Sequence, residues 1–212
     1  MHAVPGTITI SASFGAGGSS IGPAVAERLG LKFYDRAIPV AVASELHMDQ
    51  EDAIALDAKA PGRLERVLSA LANVSLPIGI AEMPGDLVLT PNRFKEATEA
   101  VLHQIADGEG GVVLGRTAMA VLANRPDVLS VRLSGPAEAR IAKAAKSTGE
   151  DEAKVRAEQK STDGARDAYA QAFYGVRQGD PRLYHLVIDT TALSDETSVE
   201  LISLAAMDRL HL

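Results

Sequence analysis

Short apolar runs alternate along the chain with longer stretches in which apolar residues recur every three or four positions. Runs of β-branched and aliphatic residues predict strands, and a spacing such as that of Ile21, Val25 and Leu29 predicts an amphipathic helix. The predicted strands cover residues 7–11, 31–35, 111–115, 128–133 and 186–190. The predicted helices cover residues 21–29, 92–106, 116–123, 136–147, 151–173 and a last segment that follows residue 194.

Residues with strong preferences for helix ends mark several of these boundaries. Gly30 is expected to end the first helix, because glycine readily adopts the left-handed conformation of a C-terminal cap. Asn92, Gly135 and Ser194 are predicted N-caps of later helices. Pro23 is expected in the first turn of its helix, where a missing N–H group has little cost.

Strands that alternate with helices predict an α/β fold. We expect a mostly parallel five-stranded sheet, covered by helices on both faces, with ligands at the carboxyl ends of the strands. The whole chain, residues 1–212, is interpreted as one domain. Residues 37–72 have helical spacing with a break at 60–62, whereas prolines and glycines make residues 75–92 irregular. We therefore predict a small helical and irregular subdomain over residues 37–94.

Composition narrows the classes of partner. The net charge of −7 makes nucleic acid an unfavourable partner, since binding to its backbone requires clustered Lys and Arg. The absence of cysteine excludes disulfides, thiolate nucleophiles and zinc–thiolate sites, and the five histidines lack metal-binding spacings. No apolar run has the length of a membrane span, and the first residues lack the pattern of a signal peptide. We expect a cytoplasmic monomer or homodimer that binds neither nucleic acid nor membrane.

A glycine-rich segment, "SFGAGGSSIG", lies between the first predicted strand and the first predicted helix. Small residues at a helix start let backbone N–H groups converge on a phosphate. The usual phosphate-loop pattern is G-x-x-x-x-G-K-[ST]. Gly17 and Ser19 match its second glycine and its hydroxyl, but Ala12 replaces the first glycine and Gly18 the lysine. On these residues alone, a phosphate loop and an ordinary tight turn are equally good interpretations.

Three charged residues further along the chain are candidates for binding an anion. Arg116 follows the predicted strand 111–115, at the edge of the sheet where ligands bind, although a surface arginine is a common alternative. Asp163 and Arg166 lie three residues apart on a predicted helix and hence on one face, where they could also form an ordinary ion pair.

Three segments in this order resemble the cytidylate kinase-like family, a branch of the P-loop nucleoside monophosphate kinases. The first is "ITISASFGAGGSSIGPAVAERLGLKFYDRAI" and the second is "GGVVLGRTAMAVLANRPDVLSVRLSGPAEARI". The third, "STDGARDAYAQAFYGVRQGDPRLYHLVIDTTALS", contains the D-x-x-R-x-x-Y and Y-x-L-V-I-x-T patterns typical of the family. The resemblance covers nearly the whole chain and implies a three-layer P-loop kinase fold.

The resemblance also implies an activity, which is transfer of the ATP γ-phosphoryl group to a nucleoside monophosphate, most simply CMP or dCMP, with Mg²⁺ bound to ATP. It assigns acceptor binding to Asp35, Arg116, Asp163 and Arg166, and catalysis to the last three of these. The ATP phosphates would lie against Gly15, Ala16, Gly17, Gly18, Ser19 and Ser20, with Ser19 as the Mg²⁺ ligand and Ser20 as the nearby alternative.

Residues 140–165 resemble a lid that closes over ATP. Its candidate cations are Arg140, Lys143, Arg156 and Lys160, each of which could equally lie on a solvated helix face. Such a lid supplies charge and excludes water only when closed.

Three departures from the family pattern keep other functions open. The lysine position is Gly18, the arginine that often stands at the position of Ala12 is absent, and Thr117 replaces the aspartate after the G-R arginine. Loss of one charged contact to a transferring phosphoryl group can cost roughly 3–4 kcal/mol. The alternatives are a non-catalytic nucleotide-binding protein and a kinase for another small acceptor.

Overall fold

The computed structural model describes residues 6–35, 91–115 and 117–212. Of the predicted subdomain over residues 37–94, only the last four residues lie in the described part of the chain. Arg116 also lies outside it.

Five parallel strands form the sheet of the described residues, as predicted. They are β1 (Thr7–Ala12), β2 (Phe33–Tyr34), β3 (Gly111–Leu114), β4 (Val128–Ser134) and β5 (Leu186–Asp189). Their spatial order is β2-β3-β1-β4-β5, and every neighbouring pair is parallel. The central position of β1 places the segment that follows it at the middle of the carboxyl edge of the sheet.

Six α-helices of the described residues connect and cover these strands. They are α1 (Gly18–Leu29), α2 (Pro91–Asp107), α3 (Ala118–Val121), α4 (Ala137–Thr148), α5 (Glu152–Tyr174) and α6 (Asp195–Leu210). A short 3₁₀ turn, Pro181–Leu183, precedes β5. No helix in these ranges combines the length and apolar character needed to cross a bilayer.

The two faces of the sheet bury separate clusters. Val112 packs into the cluster formed with α1 and α6, whereas Val113 packs against α2 and α3. Neighbouring residues of a strand point to opposite faces, so helices cover both faces of the sheet. The larger cluster includes Ile8, Ile10 and Ile202, all almost completely buried. The predicted α/β fold with a parallel five-stranded sheet is therefore confirmed.

Helices α1 and α2 begin earlier than predicted. Helix α1 begins at Gly18, three residues before the predicted start, because the N–H groups of Ser20 and Ile21 already bond to the Gly17 carbonyl. Pro23 is therefore inside the helix rather than in its first turn. Asn92 is not an N-cap, since α2 already includes Pro91.

Helices α3 and α4 also differ from the prediction at their starts, whereas the start of α6 agrees with it. Pro136, not Gly135, is the N-cap of α4. The helix predicted over 116–123 is reduced to the single turn of α3, because Thr117 has a left-handed conformation with φ 53°. Ser194 caps α6 as predicted, since its hydroxyl accepts from the Thr197 N–H group.

Candidate functional site

The glycine-rich loop after β1 has a backbone that requires glycine at two positions. Gly15 and Gly17 have φ values of 76° and 77°, which L side chains rarely adopt. A Cβ atom on Gly15 would also lie 2.5 Å from the Arg140 carbonyl oxygen. Gly17 is the N-cap of α1, so the loop delivers the chain directly into the helix start. Backbone N–H groups at such a start form a binding site suited to phosphate.

Helices α4 and α5 hold this loop by the peptide groups of Phe14. The Asp163 carboxylate accepts from the Phe14 N–H group at 2.8 Å, and the Arg140 guanidinium donates to the Phe14 carbonyl. Arg140 and Asp163 also pair with each other at 3.0 Å, and Gln159 donates to the same carboxylate at 2.9 Å. The predicted lid residue Arg140 and the predicted acceptor residue Asp163 therefore meet at the base of the loop.

Arg166 reaches the same segment one turn along α5. Its guanidinium donates to the Ala12 carbonyl at 2.9 Å, at the end of β1. Asp163 and Arg166 thus lie on one face of α5, as their spacing predicts, and that face contacts the residues that lead into the loop. Their assignment to acceptor binding stays a prediction.

Three hydrogen-bonded side chains connect α4 with the start of α1. Lys143 donates to Asp195 Oδ1 at 2.8 Å and to the Thr190 carbonyl at 2.9 Å. Asp195 Oδ2 in turn accepts from the Ser20 hydroxyl at 2.7 Å. Although burial raises the pKa of Asp195, the hydrogen bonds from Lys143 and Ser20 outweigh that effect and lower the pKa below its ordinary value. The carboxylate is therefore ionised at neutral pH.

No pattern in the sequence connects Asp195 with the loop. Asp195 lies in the first turn of α6, where an acidic residue is favourable through the helix dipole. Its contact with Ser20 joins residues 175 positions apart, so no local pattern could have shown it.

Arg132 is a second residue near the loop that is not among the predicted site residues. It donates to the hydroxyls of Ser11 at 2.7 Å and Ser13 at 2.8 Å, and to the Gln178 side-chain oxygen at 3.3 Å. These partners are neutral, and they place a cation beside the last residues before the loop. The signal available in the sequence was a charged residue inside a predicted strand whose other residues are mostly apolar.

The remaining predicted residues occupy less constrained positions. Arg156 pairs with Glu138, which connects α5 to α4 and lowers the pKa of that carboxyl group through the hydrogen bond. Lys160 is exposed, and Asp35 directly follows β2 and is half-buried. Ser19 is exposed in the first turn of α1. Roles for these residues in binding stay predictions.

Residue 18 has no room for a side chain in this packing. A Cβ atom on Gly18 would lie 2.7 Å from Ala12 Cβ and 3.1 Å from Leu114 Cδ1. Real Cβ atoms essentially never approach another heavy atom that closely. The close contact between α1 and β1 therefore leaves no room for a lysine at position 18.

The sequence profile of the cytidylate kinase-like family matches residues 7–192 of the 212-residue chain. The chain belongs to the cytidylate kinase-like family. The match spans β1 to the end of β5, which includes the glycine-rich loop and both α4 and α5.

Two solved structures share the fold of this cytidylate kinase-like chain. An uncharacterized protein from Eubacterium ventriosum superimposes with a TM-score of 0.65 at 18% identity, over 96% of this chain and 99% of that one. A gluconokinase from Sinorhizobium meliloti superimposes with a TM-score of 0.51 at 18% identity, over 98% of this chain and 94% of that one. At this identity the likeness establishes the P-loop kinase fold.

A uronate isomerase from Corynebacterium glutamicum, a curated protein, is 30% identical to this chain over 117 residues. The matched segment is 55% of this chain but only 22% of the isomerase. The chain thus spans about a fifth of the length of the curated relative that it matches.

Proposed function

We propose that this protein is a nucleotide kinase-like phosphotransferase, which transfers the γ-phosphoryl group of ATP to a nucleoside monophosphate, with CMP or dCMP as the favoured acceptor. The observation that carries the proposal is the glycine-rich loop at the start of α1, together with the contacts of Arg140, Asp163 and Arg166 to the backbone that leads into it. Phosphoryl transfer depends mainly on positioning and on electrostatic stabilisation of phosphate oxygens.

The arrangement supports this proposal because the loop and the cations share one edge of the sheet. Arg132, Arg140 and Arg166 all donate to residues 11–14, immediately before the loop. Phosphate at the start of α1 would therefore lie beside a segment that three guanidinium groups contact, and one of these, Arg140, is also paired with Asp163. The family resemblance assigns Arg116, which lies outside the described residues, to the acceptor phosphate.

Mg²⁺ fits the residues at the start of α1. The Ser19 hydroxyl is exposed there, and hydroxyl oxygen is a hard donor of the kind that Mg²⁺ prefers. Magnesium is commonly held by few protein ligands together with substrate phosphates and water. When bound with ATP, the ion would neutralise part of the phosphate charge. Ser19 would hold it in the proposed function, with the neighbouring Ser20 as the alternative.

A second candidate function is nucleotide binding without turnover. The observation that favours it is the closed space at Gly18, which excludes the lysine that usually contacts the transferred phosphoryl group. In this case the loop would bind ATP while catalysis would be absent or very slow.

A nucleotide panel tests both candidates on the purified full-length chain. We expect ADP release from MgATP to increase when CMP or dCMP is added, and to increase less with AMP, GMP or UMP. Release that is unchanged by every monophosphate, together with calorimetric MgATP binding, would contradict the kinase and support the second candidate. Gluconate, added to the same panel because a gluconokinase shares the fold, tests a non-nucleotide acceptor.

A further inference from the structure

The space between α1 and β1 requires that the cation for the donor phosphates come from outside the loop. The Cβ atom of Ala12 lies where a side chain at position 18 would begin. In the usual pattern the residue at position 12 is glycine and the residue at position 18 is lysine. This chain has the small side chain at position 12 and none at position 18, so a lysine at 18 would require β1 or α1 to move.

Arg140 is a poor candidate for that cation, because its guanidinium is buried and already hydrogen-bonded within the fold. Its side chain is only 8% exposed, and it donates to the carbonyls of Gly135 and Phe14 as well as to Asp163. Moving it toward a ligand would leave two backbone carbonyls and a carboxylate without these donors, which is unfavourable for buried polar groups.

Lys143 is better placed, since its ammonium is separated from the first turn of α1 by a single carboxylate. Asp195 bonds to Lys143 through Oδ1 and to Ser20 through Oδ2. The same carboxylate lies 3.5 Å from the position that a Cβ atom on Gly17 would occupy. The Lys143 side chain is 34% exposed, so its ammonium remains accessible from solvent. A lysine has three donors, and two of them are used by Asp195 and the Thr190 carbonyl.

We propose that Lys143, positioned by Asp195 beside Ser20, supplies the positive charge that binds the ATP phosphates in place of a lysine at position 18. The inference rests on the proposed function, because it assumes that the loop binds ATP. Asp195 is a positioning residue in this arrangement. Its negative charge would repel phosphate if it were left alone, so the ammonium both offsets that charge and donates to the phosphate.

A double variant separates these two effects. In Lys143→Met the unpaired Asp195 carboxylate would itself repel phosphate, so weaker binding alone would be ambiguous. Lys143→Met/Asp195→Asn removes both charges, and comparison with Asp195→Asn isolates the contact that Lys143 makes with the nucleotide. The double variant also leaves no unpaired charge in the fold, and its thermal melting verifies folding.

The experiment is isothermal titration of MgATP into each purified full-length variant. We expect Lys143→Met/Asp195→Asn to bind MgATP at least about tenfold more weakly than Asp195→Asn, as for loss of a charge-assisted contact. The control is Lys146→Met, which removes an exposed lysine from the last turn of the same helix and should bind MgATP like the wild type.

Equal affinity in Lys143→Met/Asp195→Asn and Asp195→Asn would overturn the inference while leaving the proposed function intact. The same conclusion would follow if Lys146→Met reduced affinity as much as Lys143→Met, because the effect would then be one of net charge. A wild-type protein that binds no MgATP would overturn both the inference and the proposed function.

Discussion

Ala12 and Gly18 compete for one volume between β1 and α1. Their side-chain positions are only 2.7 Å apart when a Cβ atom is built on Gly18. The two departures from the usual loop pattern are therefore one structural change, in which the position that carries a Cβ atom has moved from 18 to 12. Ala12 and Gly18 each depart from the usual loop pattern, but together they keep a single Cβ atom in the space between β1 and α1.

This coupling predicts the stability of variants at the two positions. Gly18→Ala should lower the free energy of unfolding by about 1–3 kcal/mol, because the new methyl group overlaps Ala12. Adding Ala12→Gly to Gly18→Ala should recover most of that loss. Urea denaturation of the single and double variants measures the coupling.

Gly164→Ala is the matched control for this experiment. Gly164 lies within α5 with no heavy atom within 4 Å of the Cβ position, so alanine there should be neutral or stabilising. Additive losses in Gly18→Ala and Ala12→Gly, with no recovery in the double variant, would show that the two side chains do not compete.

At the scale of elements, helix α5 determines how the loop is held. Its spacing of Asp163 and Arg166 could be recognised from sequence, and both side chains do contact the segment before the loop. The contact of Asp163 with the segment before the loop could not be recognised, because its partner there is the N–H group of Phe14, 149 residues earlier. Contacts between a side chain and a distant backbone group depend on how helices dock, which periodicity does not encode.

The pairing of β4 with β5 contains a titratable contact. His185 Nδ1 accepts from the Ser130 N–H group at 2.9 Å, so that nitrogen must be unprotonated. Burial, and to a smaller extent Arg209, lower the pKa of His185 below its ordinary value of 6.5. A lowered pKa means that the unfolded chain binds the proton more tightly, so this contribution to stability is present above about pH 6.5 and is lost as the pH falls below it.

We therefore expect the free energy of unfolding to decrease between about pH 7 and pH 5, and to decrease less in His185→Asn. Asparagine retains an acceptor oxygen near the position of Nδ1 but does not titrate in this range. Urea denaturation across this pH range measures the slopes. His103→Asn, at an exposed position of α2, is the control and should keep the wild-type slope. Equal slopes in all three proteins would exclude His185 as the cause.

At the scale of the whole molecule, the sequence predicted the architecture better than the site. Apolar runs such as 111–115 can be recognised in the sequence, because a strand that is buried on both faces of the sheet favours an apolar residue at nearly every position. The hydrogen bonds that connect Lys143, Asp195 and Ser20 cannot be recognised from the sequence, because the three residues lie on three helices that only the fold brings together. Thr117 shows the same limit locally, since its left-handed backbone contradicts the preference of a β-branched residue.

We propose that the loop from Gly15 to Ser20 binds the phosphates of ATP, and amide hydrogen exchange measures this binding at the loop itself. Saturating MgATP should slow exchange in peptides that cover residues 13–20 and leave peptides from the C-terminal half of α6 unchanged. Exchange across residues 13–20 that does not change while MgATP is bound would contradict the claim, because the nucleotide would then bind elsewhere on the protein.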